Sequence, residues 1–256
     1  MKLLEKLQES HVHIKDESSV YAKLEALFKG GASSLQIISD FDMTLSRYSV
    51  NNQRCPSSHG ILEAGMCLSA EAKEHLHETN KKYRAIEIDP HMSPDEKIPF
   101  MLEWWGKAHS AMGNVVISKS MIKNAVATST AMLKDGCSEL FNTLHKHSVP
   151  LLVFSAGLGD VIEEVIRQKS HFHPNMKTVS NFMKFNEKDI MVGFDGLLIH
   201  SFNKNEGALV HSEYFEEISH RHNIILLGDM MGDLHMADGV QNINSILKIG
   251  YLNQNV

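Results

Sequence analysis

Two aspartates stand two positions apart directly after a short apolar run. The run spans 35–39, and Asp40 and Asp42 follow it. One carboxylate of such a pair can act as a nucleophile while the other transfers protons as an acid or base. If the electrophile is a phosphoryl group, the repulsion between anions must be relieved by a metal ion and by cationic or amide donors. The pair is therefore suited to phosphoryl chemistry, provided that those partners are present.

The sequence supplies a candidate for each partner. Asp229 and Asp233 come after the apolar run at 224–227, and carboxylate oxygens suit Mg2+, a hard cation. Ser155 precedes a helical pattern, where main-chain N–H groups can bind phosphate, and Lys204 can add a positive point charge. Any one of these motifs alone is as typical of a loop or capping residue as of a catalytic one. Their combination favours a phosphate site.

Three short apolar runs predict the strands that position these residues. They span 35–39, 149–154 and 224–227, and each is followed by small or acidic residues. Helical patterns follow at 160–169 and 212–222, where apolar residues recur on one face. Strands that alternate with helices indicate an α/β fold with a parallel sheet.

The interval 55–135 differs because its patterns are helical and it has little strand character. Ser93 and Glu96 form a capping box at the start of a helix. That helix carries an apolar stripe, which alone is more typical of a core face than of a ligand site. The stripe consists of Ile98, Met101, Trp105, Ala108 and Met112.

Two further segments complete the predicted elements. A helix is predicted from 119 to 134, ended by Gly136. Residues 177–202 predict alternating short strands, with Gly193 and Gly196 as turns. We therefore expect three parts along the chain: a first part of the core (1–54), an inserted helical cap (55–135) and a second part of the core (136–256).

The composition excludes several classes of protein. The chain has 256 residues, with 25 Lys and Arg against 31 Asp and Glu, a net charge of −6 and no basic block, so we expect no binding to nucleic acid or membranes. Cys55, Cys67 and Cys137 lack paired spacing, which indicates free thiols in a reducing compartment. With no signal peptide and no long apolar run, we expect a cytoplasmic protein.

The order of the motifs resembles the haloacid dehalogenase superfamily of phosphotransferases. Longer segments resemble the cytosolic 5′-nucleotidase III family of pyrimidine and 7-methylguanosine nucleotidases, from about residue 11 to the end. The matching segments are ISDFDMTLSRYS, RCPSSH, AIEIDPH, EWWGKAH, VFSAGLGDVIEEVIRQ, VSNFM, LIHSFNKNEGAL, IILLGDMMGDLHMADGV and ILKIGYLN. The resemblance implies a Rossmannoid three-layer core with a parallel sheet and an inserted helical cap.

The resemblance also implies the reaction. It is Mg2+-dependent hydrolysis of a nucleoside 5′-monophosphate through an aspartyl-phosphate, with transfer to a second nucleoside as a side activity. Asp40 would be the nucleophile, and Asp42 the acid/base that protonates the leaving oxygen and then activates water. Mg2+ would be held by the Asp40 carboxylate, the Asp42 main-chain carbonyl and Asp229, with Asp233 in support.

The resemblance assigns the remaining site residues to the phosphate and the base. Ser155, the Ala156 amide and Lys204 would hold the phosphate. The family position that reads the base is Glu87, and the ring positions that flank the base are Trp105 and His59. The partner is then a small-molecule nucleotide, and we expect a monomer.

Base preference stays open between pyrimidine and 7-methylguanosine monophosphates. A cationic 7-methylguanine would gain from stacking on Trp105 beside Glu87, whereas His59 resembles the pyrimidine branch. Ala108 stands where some members have a serine that touches the base. Two other functions also remain: a phosphatase for another small ester, and a nucleotide-binding protein whose catalysis has decayed. The pair at 230–231, two methionines, lends the latter some weight, but the intact carboxylates argue against it.

Overall fold

The computed structural model describes residues 2–66, 70–113, 115–204 and 217–253. The helices are α1 (Lys2–Leu7), α2 (Glu17–Gly30), α3 (Ser58–Gly65), α4 (Ala70–Glu87), α5 (Pro94–Gly113), α6 (Lys119–Thr128), α7 (Cys137–Lys146) and α8 (Gly159–Lys169). The strands are β1 (Leu35–Ser39), β2 (Ser49–Val50), β3 (Gln53–Arg54), β4 (Leu151–Leu158), β5 (Met176–Asn181), β6 (Met183–Phe185), β7 (Met191–Phe194), β8 (Asn223–Gly228) and β9 (Ser245–Gly250).

A five-stranded parallel sheet forms the centre of the molecule, in the order β5-β4-β1-β8-β9. The predicted strands at 35–39, 149–154 and 224–227 are its three inner strands, which confirms the α/β fold. Ile38 of β1 is paired with Leu152 of β4 and Leu226 of β8. All three side chains are buried, as is usual for a parallel sheet covered on both faces.

Apolar residues cover both faces of this sheet and make three layers. On one face, Ile37 and Leu151 join a core with residues of α3, α6, α7 and α8. On the other face, Ile38 and Leu152 pack with Ile199, which follows the β6–β7 hairpin, and with residues near Met236. Side chains that alternate between faces along each strand produce these two cores.

α4 and α5 pack against each other and have an apolar cluster of their own, which includes Tyr83, Met101 and Trp104. The capping box at the start of α5 is present, since Glu96 Oε2 accepts from the main-chain N of Ser93 at 2.8 Å. Met101, Ala108 and Met112 of the predicted stripe on α5 are buried, whereas Ile98 and Trp105 are only half-buried. Trp104, which the stripe did not include, is buried in place of Trp105. α3 and α6 instead belong to the large core. The division at 55 and 135 stays a prediction.

The predicted helix at 119–134 is too long, because α6 ends at Thr128. Beyond this point the main chain pairs with the segment after β1, where Arg47 N donates to the Met132 carbonyl at 2.8 Å. Tertiary pairing therefore competes with helix continuation. Gly136, expected to end that helix, instead precedes α7, with a φ of 83°.

The region after α8 differs from the expectation in two places. Gly193 lies inside β7 opposite Lys184, and so it is not a turn residue, whereas Gly196 lies in the bend after the hairpin with a φ of 73°. Most of the predicted helix at 212–222 lies outside the described residues, and the chain at 221–222 is not helical.

Cys55 and Cys137 are free and buried, whereas Cys67 lies outside the described residues. In the part of the chain that the structure describes, every helix is too short or too polar to cross a membrane.

Candidate active site

The residues singled out for phosphate chemistry meet at the carboxyl edge of the parallel sheet. Asp40 follows β1 and Asp229 follows β8, while Ser155 lies within β4, which extends four residues beyond the predicted strand. Parallel neighbours end at the same edge, so residues far apart in sequence become adjacent. They line a cavity of about 460 Å³ between this edge and the cap helices α4 and α5.

Lys204 lies between two buried carboxylates. Its Nζ donates to Oδ1 of Asp40 at 2.5 Å and to Oδ1 of Asp233 at 2.9 Å. The side chains of Lys204 and Asp40 are each 6% exposed. Burial of a charged lysine costs desolvation free energy. The ionic contacts with the two carboxylates offset that cost.

Asp233 also shapes the loop that follows β8. Its Oδ2 accepts from the main-chain N of Asp229 at 3.1 Å and of Met230 at 3.0 Å. A Cβ at Gly228 would lie 2.4 Å from the Asp233 Cβ, so glycine is needed for this close approach. The hydrogen bonds of Asp233 Oδ2 therefore position the main chain of the loop at Asp229.

The Asp229 side chain is held from the other side by the residue Asn253. Its Nδ2 donates to Oδ2 of Asp229 at 3.2 Å and to the carbonyl of Met43 at 3.1 Å. Asn253 thereby links the loop after β8 to the loop after β1. The sequence contains no pattern that marks this residue, because its role depends on a contact between distant segments.

The electrostatics of the cluster fit a divalent cation. Burial, with the charges of Asp233 and Asp229, raises the pKa of Asp40 to about 8 even though Lys204 opposes the shift. Burial and Asp233 likewise raise the pKa of Asp229 to about 6. Burial disfavours the charge of Lys204, but Asp233 and Asp40 outweigh it and hold the lysine pKa above its usual range. Negative charge thus exceeds positive charge in this cluster.

Ligand oxygens of Asp40, Asp229 and Asp233 all lie within 4.8 Å of one another. Three carboxylates at this separation are a donor set that suits a hard cation such as Mg2+. Burial first, and then mutual repulsion, raises the pKa values of Asp40 and Asp229.

Asp42 is fixed by the first residue of α3. Ser58 donates to its carboxylate from the main-chain N at 2.8 Å and from Oγ at 2.7 Å. Burial raises the pKa of Asp42, although the hydrogen bonds from Ser58 oppose the shift. The carboxyl is therefore poised to hold a proton, as a general acid must.

β4 passes directly beside this pair. Leu158 N donates to Ser58 Oγ at 3.2 Å, and Gly157 N donates to Ser155 Oγ at 3.1 Å. The side chain of Asn181 on β5 holds the carbonyl of Ala156 at 2.9 Å. Ser155 and Ala156 thus line the cavity on a segment of β4 that is held by hydrogen bonds with Ser58 on one side and Asn181 on the other.

Aromatic rings also line the cavity. The ring centroids of Trp105 and His59 are 4.5 Å apart, and those of Trp105 and Trp104 are 5.2 Å apart. Nε1 of Trp105 and Nε2 of His59 are buried without a hydrogen-bond partner among the described residues. Burial lowers the pKa of His59 to about 3, so this ring is neutral at physiological pH. Ala108, also on α5, lines the same cavity.

Glu87, the last residue of α4, is buried and lines the same cavity. Its carboxylate accepts from Arg84 and from the hydroxyl of Ser201, and its main-chain carbonyl accepts from Lys97 Nζ at 2.9 Å. Sequence reasoning missed Arg84 and Ser201. The spacing of three between Arg84 and Glu87 on a helix could have revealed the former, whereas nothing marks Ser201.

The fold is a haloacid dehalogenase-like α/β fold, which phosphatases of known structure share. The structure of a phospho-aspartyl intermediate analogue of phosphoserine phosphatase has the same fold, with a TM-score of 0.51, 15% identity and 85% of each chain covered. A crystal structure of cytosolic 5′-nucleotidase IIIB bound to cytidine is far more similar. It has a TM-score of 0.87 and 37% identity, over 97% of this chain and 83% of that chain.

Sequence comparison then gives the family. The family model for pyrimidine 5′-nucleotidase (UMPH-1) matches residues 43–256. The 7-methylguanosine phosphate-specific 5′-nucleotidase of Mus musculus is 48% identical over 250 residues, which are 98% of this chain and 83% of the relative. That of Drosophila melanogaster is 39% identical, over 96% of this chain and 77% of the relative. The chain belongs to the pyrimidine 5′-nucleotidase (UMPH-1) family, as its motifs predict.

Proposed function

We propose that this 5′-nucleotidase hydrolyses nucleoside 5′-monophosphates through a phosphoryl intermediate on Asp40 and depends on Mg2+. The observation that carries the proposal is the cavity itself. It brings the cluster of Asp40, Lys204 and Asp229, which suits a phosphate and a cation, together with Trp105 and Glu87, which suit a base. The volume of about 460 Å³ is in the range of small-ligand sites.

Two steps complete the reaction. The Asp40 carboxylate attacks phosphorus, and the bond from phosphorus to the 5′-oxygen breaks as Asp42 donates a proton to that oxygen. After the nucleoside leaves, Asp42 takes a proton from water, whose oxygen attacks phosphorus and breaks the bond to Asp40. Inorganic phosphate and free Asp40 result. A second nucleoside in place of water would give phosphoryl transfer.

The other residues bind and orient the phosphate. Lys204 and the Ala156 amide would donate to its oxygens, and Ser155 would add a hydroxyl. Mg2+, held by Asp40, the Asp42 carbonyl and Asp229 with Asp233 in support, would neutralise charge on the phosphoryl oxygens.

The base would lie between rings and a carboxylate. Trp105 and neutral His59 would flank it, Ala108 would give it space, and Glu87 would accept from its N–H groups. Relatives bear names that refer to 7-methylguanosine phosphate, and the similar crystal structure holds cytidine, so both base types are candidates. We place the reaction in the cytoplasm, as the name of that cytosolic structural relative suggests. Monomeric state and lack of binding to nucleic acid or membranes stay predictions.

The test is phosphate release from CMP, UMP, 7-methyl-GMP, AMP and GMP, with Mg2+ or with EDTA. We expect release from the preferred nucleotide only with Mg2+, and its loss by at least about 1000-fold in Asp40→Asn, since the nucleophile is removed. The matched control is Asp95→Asn, which changes an exposed aspartate of α5 and should leave the rate unchanged.

Other results would point elsewhere. Release that persists in Asp40→Asn would exclude the proposed nucleophile. Turnover of sugar phosphates but of no nucleotide would favour another phosphatase. Nucleotide binding without any turnover in the wild type would favour a decayed enzyme.

A further inference from the structure

We propose that Arg84 sets the base preference of this site by balancing the charge of Glu87, and that the pair favours neutral bases over cationic ones. The inference rests on the proposed function, since it concerns which nucleoside 5′-monophosphate the cavity accepts. It makes Arg84 a positioning residue that acts through Glu87.

Arg84 and Glu87 lie one turn apart on α4, and both line the cavity. Nη1 of Arg84 donates to Oε2 of Glu87. The Glu87 side chain is only 5% exposed, whereas that of Arg84 is 46% exposed. A buried carboxylate is costly without a partner, and the guanidinium supplies that partner from the solvent side.

Two other groups hold Glu87 from the protein side. The Ser201 hydroxyl donates to Oε1, and Nζ of Lys97 donates to the main-chain carbonyl of Glu87 at 2.9 Å. Lys97 is buried, so solvent screens its charge poorly. Arg84 therefore contacts the carboxylate, and Lys97 contacts the main chain of the same residue, before a base enters the cavity.

An entering base meets a carboxylate whose charge is already offset. Each carboxylate oxygen can accept more than one hydrogen bond, so an N–H group of a neutral base can donate to Glu87 while Arg84 stays in place. A base with a fixed positive charge, such as 7-methylguanine, would place a second cation near Arg84. Like charges in a partly buried site repel.

Trp105, unlike Arg84, favours a cationic base. Its ring lines the same cavity and would attract a cationic base more strongly than a neutral one. The Trp105 ring is present whether or not Arg84 carries its charge. The ratio of activity on a cationic base to activity on a neutral base therefore depends on the charge beside Glu87. Removal of the positive charge of Arg84 should shift that ratio toward the cationic base.

The experiment measures kcat/KM for 7-methyl-GMP and for CMP, with Mg2+, in the wild type and in three variants. Arg84→Met removes the charge, and Arg84→Lys keeps it. Lys73→Met removes a charge from an exposed residue of the same helix that does not line the cavity, and that ammonium has no hydrogen bond or ion pair with Glu87 in the described part of the chain.

We expect the ratio of kcat/KM for 7-methyl-GMP to kcat/KM for CMP to rise roughly tenfold in Arg84→Met. The reason is that the repulsion between the guanidinium and the cationic base is lost. Arg84→Lys and Lys73→Met should stay within about twofold of the wild type. The charge of Arg84 also acts on Asp229, but that effect is common to both substrates and cancels in the ratio.

An unchanged or lower ratio in Arg84→Met, with an active wild type, would overturn the inference and leave the proposed function intact. Absence of turnover of both nucleotides by the wild type would overturn both. If Arg84→Met does not fold, Arg84→Gln keeps a hydrogen-bond donor without the charge and provides the same comparison.

Discussion

Lys204 supplies the positive charge that balances the buried carboxylates of the site. It contacts Asp40 and Asp233 at hydrogen-bond distance, and all three side chains are almost fully buried. Buried charges of this kind depend on one another, since removal of one leaves the others without a counterion. The same contact serves both stability and phosphate binding.

Replacement of this lysine should therefore destabilise the protein strongly. In EDTA, we expect Lys204→Met to lower the free energy of unfolding by about 3–5 kcal/mol, because two buried carboxylates lose their cation. Thermal and urea unfolding would measure the change.

The control is Lys184→Met, which removes an exposed ion pair with Asp195 at 3.6 Å. Exposed pairs contribute at most about 1 kcal/mol, so its effect should be small. Equal losses of stability in Lys184→Met and Lys204→Met would contradict the claim that the buried ion pairs of Lys204 stabilise the protein more than an exposed ion pair does.

At the scale of elements, the approach of β4 to α3 decides where the proton donor lies. A Cβ at Gly157 would lie 2.2 Å from Ser58 Oγ and 3.0 Å from Asp42 Oδ2. Because Ser58 holds the Asp42 carboxylate, the absence of a side chain at Gly157 permits this arrangement.

We expect Gly157→Ala to lower kcat roughly 100-fold, since an added methyl would displace Ser58 and with it the Asp42 carboxylate. Kinetics with the preferred nucleotide, together with a thermal melt, would measure both effects. Gly106→Ala on α5 is the matched control, because its Cβ would meet no atom within 4 Å. Alanine favours a helix by about 1 kcal/mol over glycine, so this control should be active and slightly more stable. Full activity of Gly157→Ala would rule out the proposed contact.

At the scale of the whole molecule, half-buried His109 joins α5 to the β6–β7 hairpin. Its ring stacks on Phe194 with a centroid distance of 3.6 Å, and burial lowers its pKa to about 4. In the unfolded chain a histidine titrates near about 6.5. Below that pH the unfolded state binds a proton that the folded state resists, so stability falls as the pH drops from about 6.5 toward 4.

His109→Gln should weaken this pH dependence. We expect the loss of unfolding free energy between pH 7 and pH 5 to be smaller by on the order of 1 kcal/mol than in the wild type. Urea unfolding at the two pH values measures it. His91→Gln, at an exposed position, should match the wild type, and the same match in His109→Gln would show that the buried ring does not carry the effect.

The sequence by itself determined the parallel sheet and the cluster at its carboxyl edge. Apolar runs that end in Asp40 and Asp229 are local features, and parallel strands necessarily place such ends together. The family also followed from local motifs. Burial on α5 was less predictable, because Trp104 and Trp105 are adjacent and a rotation of about 100° per residue decides which one faces the helix α4.

Only the tertiary structure decided the contacts between distant segments. α6 ends at Thr128 because the chain beyond it pairs with the segment after β1, which no local pattern specifies. Asn253 reaches Asp229 across 24 positions of sequence, and Ser201 reaches Glu87 across 114. These contacts depend on where whole elements pack, and so their residues resemble ordinary polar residues until the chain is folded.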